Sequence, residues 1–98
     1  MTDTIKVVVK IRLRPDRLAE GKKLLLWLAE KSRAEHGCVS YAVLESIGEP
    51  NIFLLYEEWD SPAALNAHGE TAHVRESYAQ AGVLVSAAPE RTVLKTVG

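Results

Sequence analysis

The sequence is poorest in sulfur and in charge imbalance. It holds one cysteine, Cys38, and one methionine in 98 residues. A lone cysteine closes no internal disulfide, which fits a reducing cytoplasm. Twelve lysines and arginines stand against 13 aspartates and glutamates, a formal net charge of −1. That balance exerts no long-range pull on nucleic acid or on an anionic membrane. The longest apolar run, Leu24 to Ala29, is far too short to cross a bilayer. Met1 to Thr4 is polar and leads into a strand-like segment, so no signal-peptide pattern is expected. Internal repeats, low-complexity tracts, linkers, a glycine-rich phosphate loop and a nucleotide fingerprint are all missing. What is left is a globular composition, 47% apolar, at the length of a single domain spanning 1–98. A core of that size gains stability from association.

The pattern that is present begins with strict alternation. Ile5, Val7, Val9, Ile11 and Leu13 interleave with Lys6, Val8, Lys10, Arg12 and Arg14, which predicts a strand with one apolar face and one largely cationic face. Pro15 ends it, and Asp16 stands where it could cap a following helix. From Arg17 to Glu35 the period changes: Leu18, Gly21, Leu25, Leu28, Ala29 and Ser32 fall on one helical stripe. Trp27 lies at the margin of that stripe, placed either to pack there or to meet a second subunit. Gly37 is the expected left-handed stop. Cys38 to Glu45 and Ile52 to Trp59 read as a hairpin around the turn-forming Ser46 to Asn51. Val39, Tyr41 and Val43 are expected on one face of its first strand.

The segment Phe53 to His68 is the organising stretch, a strand running directly into a helix. Phe53, Leu55, Glu57 and Trp59 share one strand face, which puts a carboxylate among apolar neighbours. Ser61 and Pro62 form a strong helix start. Gly69 interrupts the helix after His68, and Thr71 begins another with Val74, Ser77, Tyr78, Ala81 and Val85 inward. Arg91 to Val97 is the final strand. The order is βαββαβ with a divided second helix, so the expected class is α+β, ferredoxin-like, with an antiparallel sheet and both helices on one face. Val8, Leu44, Ile52, Leu54 and Tyr56 then lie on the open face. An apolar open face predicts a homodimer formed by sheet-to-sheet packing.

Three stretches resemble the antibiotic biosynthesis monooxygenase (ABM) family. Glu35-His36-Gly37-Cys38-Val39-Ser40-Tyr41 is similar to its Glu-Pro-Gly-Cys-x-x-Tyr junction. Glu57-Glu58-Trp59 is similar to its Glu-x-Trp, and Ala64-Leu65-Asn66-Ala67-His68 with Ala72-His73-Val74 to its Ala-Leu-x-x-His and later His-aromatic pieces. The likeness covers nearly the whole chain in order and spacing, and departs from the pattern at His36 and Val74. It implies a dimeric α+β barrel with a ligand cavity between helices and sheet in each subunit. It also implies oxidation of a small aromatic, quinol or polyketide-like substrate by dioxygen, with no cofactor. The family also includes haem-degrading enzymes and an isomerase-type enzyme, so a proton-transferring isomerase or lyase and a non-catalytic binding dimer stand as alternatives. The haem-degrading pocket pairs its tryptophan, here Trp59, with an asparagine and a histidine. Ile11 and Tyr78 stand near those two positions, which ranks haem degradation low.

Cofactor-free oxygenation needs a base, an apolar pocket and groups that hold a developing anion. His68, His73 and Glu57 are the candidate catalytic residues. Trp59, Tyr41, Phe53, Tyr78 and Ile11 are the candidate substrate contacts. Plainer roles are open to each: a helix-end imidazole on a carbonyl for His68, a structural first-turn histidine for His73, and a paired structural acid for Glu57. The spacing does not predict a metal site, because His68 and His73 are five residues apart across Gly69 and no acidic residue stands at ligand spacing from them.

Overall fold

The computed structural model describes residues 3–98, so Met1 and Thr2, half of the polar lead-in, lie outside the described residues. The elements are β1 (Ile5–Arg12), a 3-10 turn (Pro15–Arg17), α1 (Leu18–Arg33), β2 (Cys38–Glu45), β3 (Ile52–Trp59), α2 (Pro62–Gly69), α3 (Ala72–Leu84) and β4 (Glu90–Leu94). One antiparallel sheet runs in the order β2-β3-β1-β4. This is the ferredoxin-like α+β arrangement expected from the sequence.

Alternation decides which side of the sheet is covered. Val7, Ile11, Tyr41, Phe53, Leu55 and Trp59 are buried beneath the helices. The α1 stripe does the same from above, with Gly21, Leu25, Leu28, Ala29 and Ser32 buried. Gly21 permits a close approach: a Cβ there would lie 2.6 Å from Leu13 Cδ1. Trp27 packs partly buried against the core, whereas Leu26 is exposed.

Four local expectations are corrected. Asp16 caps no helix; its carboxylate pairs with Arg14, and α1 starts from Arg17 with no side-chain cap. Val39 does not share the face of Tyr41 and Val43, because a register shift between Cys38 and Ser40 turns it outward to 54% exposure. On α3 the buried residues are Val74 and Leu84, and Tyr78 is 70% exposed. The last strand is shorter than expected, Glu90–Leu94, and all of it is exposed. On the uncovered face of the sheet, Val8 lies between Tyr56 and Thr92, and Leu54 lies between Leu44 and Lys10.

Candidate active site

Three connections bring the polar residues together. After α1, Glu35 N–H donates to Ser32 O and Cys38 N–H donates to Glu35 O, so the chain winds once more before turning. Gly37 makes that turn at φ 86°, and its carbonyl accepts from Asp60 N–H at 2.9 Å. A Cβ at Gly37 would fall 2.5 Å from Ala64 Cβ, so the junction is pressed against α2. The start of α2 is fixed by Ser61 Oγ, which accepts from Ala64 N–H, and Pro62 follows at the first helical position. At its other end Thr71 serves two helices: its hydroxyl donates to His68 O at 2.7 Å and caps α3 by accepting from Val74 N–H. His68 and His73 therefore leave the α2–α3 corner side by side, facing Glu35.

The carboxylate of Glu35 is the hub. Its Oε2 lies 2.6 Å from His68 Nδ1 and 2.6 Å from His73 Nε2. An ionised carboxylate only accepts, so each imidazole presents an N–H to it. In the neutral imidazole that assignment leaves His68 Nε2 with a lone pair. This nitrogen lies 3.7 Å from Glu57 Oε1, beyond hydrogen-bond reach. Glu57 Oε1 instead accepts from the Trp59 indole N–H at 3.0 Å. The indole lies near the His68 ring, with centroids 4.5 Å apart.

A cavity of about 450 Å³, within the range of small-molecule sites, lies between the helices and the sheet. Ile11, Tyr41, Glu57, His68 and Tyr78 line it, as do Leu25, Leu28 and Leu55. Burial, eased only in part by Trp59 and His68, pushes the Glu57 carboxyl above its ordinary range. Burial first and the Glu57 charge second push the Tyr41 phenol up as well, which keeps it a neutral donor.

The structure thus brings His68, Glu57, Tyr41, Ile11 and Tyr78 to one cavity and leaves three of the other expectations elsewhere. Trp59 is fully buried and does not reach the cavity wall; its indole N–H is turned to Glu57, which does. Phe53 is buried at the far end of β3, under Lys22 of α1, and also misses the wall. His73 meets the Glu35 hub rather than the cavity. The imidazole of His68 bonds a carboxylate and not a backbone carbonyl.

Two residues in the site were not singled out from sequence. Glu35 is separated from its imidazole partners by 33 and 38 positions, so no local spacing connects them. The only signal was its place in the Glu-His-Gly-Cys junction. Arg91 of β4 also lines the cavity, and its charge favours the ionised form of Glu57. It pairs with Val9 and so points to the covered face.

The sequence and the fold both match known proteins. Residues 4–80 match the family model described as antibiotic biosynthesis monooxygenase. The "Putative monooxygenase YcnE" of Bacillus subtilis is 36% identical over 77 residues, 79% of this chain and 81% of that protein. Rv0793 of Mycobacterium tuberculosis is 33% identical over 94 residues, 96% of this chain and 92% of that one. Its solved structure superposes with a TM-score of 0.91 at 30% identity, covering 97% and 96% of the two chains. The chain belongs to the antibiotic biosynthesis monooxygenase family.

Proposed function

We propose that the chain is a cofactor-independent monooxygenase that oxidises a small aromatic, quinol or polyketide-like substrate with dioxygen. One observation carries the reading: His68 is anchored through Nδ1 on Glu35 and lines an apolar cavity, with its Nε2 on the side of Glu57. A base held by a carboxylate in one tautomer is the arrangement that proton abstraction requires.

The steps follow from the residues. His68 Nε2 removes a proton from an acidic C–H or O–H of the substrate. Tyr41, kept neutral, and Arg91 stabilise the resulting anion by hydrogen bonding and charge. The anion passes one electron to dioxygen, and the substrate radical and superoxide combine into a peroxide on carbon. Loss of the carbon-bound hydrogen and cleavage of the O–O bond leave a carbonyl. The second oxygen departs as water, taking the proton that His68 removed in the first step and the carbon-bound proton, which Glu57 relays, so that both residues end as they began. One dioxygen is consumed, and one of its oxygen atoms enters the product.

The same imidazole and carboxyl could exchange a proton without oxygen, the isomerase or lyase alternative. The 3.7 Å approach of His68 Nε2 to Glu57 Oε1 favours keeping it as the second reading. Oxygen uptake by chelator-treated protein with a panel of hydroquinones and anthrones separates the two. Uptake stoichiometric with product supports the oxygenase. Product formed equally without oxygen supports the alternative, and no turnover with any compound overturns both.

We further propose that residues 1–98 act as one domain in the cytoplasm and pair through the open face of the sheet. Support for the dimer comes from Leu44 at 48% exposure and Leu94 at 43% on that face. Among the described residues, no helix is long and apolar enough to cross a membrane.

A further inference from the structure

The Glu35 hub is richer than a base needs. One carboxylate bond fixes the tautomer of His68, yet His73 is brought to the same oxygen from a different helix. The three donor atoms come from the α1–β2 connection, α2 and α3 and lie within 4.8 Å of one another. Their side chains are only 12%, 10% and 16% exposed, for Glu35, His68 and His73. Two imidazole nitrogens and one carboxylate oxygen make the donor set that borderline divalent ions prefer, leaving a position for water.

We propose that Glu35, His68 and His73 form a divalent transition-metal site of the Zn²⁺ class. Metal–ligand bonds of about 2.0–2.1 Å in tetrahedral geometry put donor atoms about 3.3 Å apart. The 2.6 Å contacts at Glu35 Oε2 therefore open by less than about 1 Å on binding, within the reach of side-chain rotation. Coordination uses the lone pairs of His68 Nδ1 and His73 Nε2. Each ring proton moves to the opposite nitrogen, and no net proton is released from neutral imidazoles.

A functional consequence rests on the reading of His68 as the base. With the metal on Nδ1, Nε2 carries the proton and becomes a donor toward Glu57. The cavity then loses its acceptor, so metal binding inhibits the enzyme. The ion and the hydrogen-bonded hub are alternative occupants of the same three atoms.

The test is a Co²⁺ titration of the full chain after chelator treatment, followed by visible absorption and by Zn²⁺ competition against a chromophoric chelator. One equivalent per chain, with the intense bands of a four- or five-coordinate nitrogen–oxygen site, is the expected result. His73→Ala and Glu35→Gln each weaken binding by at least about tenfold. His36→Ala leaves it unchanged, because that exposed imidazole is outside the cluster. Circular dichroism confirms that each variant is folded. No stoichiometric band in the wild type overturns the proposal, and so does binding lost with His36→Ala but kept with His73→Ala. These readings need no substrate, so they can fail while the oxygen-uptake experiment succeeds, or the reverse.

Discussion

At the scale of single residues, the site is a set of side chains each held by a polar partner. Trp59 holds Glu57 by its indole N–H, and Glu35 holds His68 by Nδ1. Replacing His68 by Ala removes the proposed base and is expected to lower kcat/KM about 10²–10⁴-fold in the oxygen-uptake assay. Glu35→Gln keeps the shape but can offer His68 an N–H, which selects the wrong tautomer; a loss of about 10²-fold or more is expected. Glu57 gives a test by stability. Its carboxyl is raised in the folded state, so the protonated form is favoured there. The favourable contribution is fully present below the ordinary glutamate range, about pH 4, and is lost as pH rises through the folded value. Glu57→Gln therefore melts at a higher temperature than wild type at pH 8, and the gap closes toward pH 4. An unchanged gap across that range would contradict the burial argument. Sequence reasoning found Glu57 because it interrupts an apolar strand face, and His68 because it closes the Ala-Leu-x-x-His stretch. It missed Glu35, whose exposed-looking setting after α1 carries no such interruption, and it placed Trp59 on the cavity because period two gives a face but not a depth.

At the scale of elements, two short connections do most of the positioning. Gly37 adopts φ 86° with α2 pressed on it. An alanine there meets both the left-handed penalty, about 1–2 kcal/mol, and the contact with Ala64. Gly37→Ala is expected to cost at least about 2 kcal/mol in urea unfolding and to lower activity by moving Glu35. Ser61→Ala, which removes the bond to Ala64 N–H, is expected to cost about 1 kcal/mol by the same measurement. These elements were also the most legible ones. β2, β3 and the α1 stripe follow from alternation and helical period alone, and Gly37 from its place after the stripe. The exceptions have physical causes. The register shift at Cys38/Ser40 is a pairing irregularity that period two cannot foresee. The exposure of Tyr78 follows from α3 being only partly covered, with Val74 and Leu84 taking its buried positions.

At the scale of the whole molecule, the sheet divides two jobs. Its covered face carries the cavity, and its open face is left with Val8, Leu54 and Leu44 in adjoining positions. We expect sedimentation to give twice the chain mass. Leu54→Lys, placing a charge in the middle of that face beside Lys10, is expected to give a single-chain mass with the helical spectrum retained. A wild type that sediments as one chain would contradict the pairing while leaving the cavity argument intact. The central claim lies inside each subunit: the proton of His68 is on Nδ1, and Nε2 is free to act as a base. Nitrogen-15 NMR of the imidazoles in metal-free protein at neutral pH reads this directly. The account predicts a His68 ring protonated at Nδ1 with a non-protonated Nε2, shifting when Glu35 becomes Gln. A ring protonated at Nε2 in the wild type would contradict it.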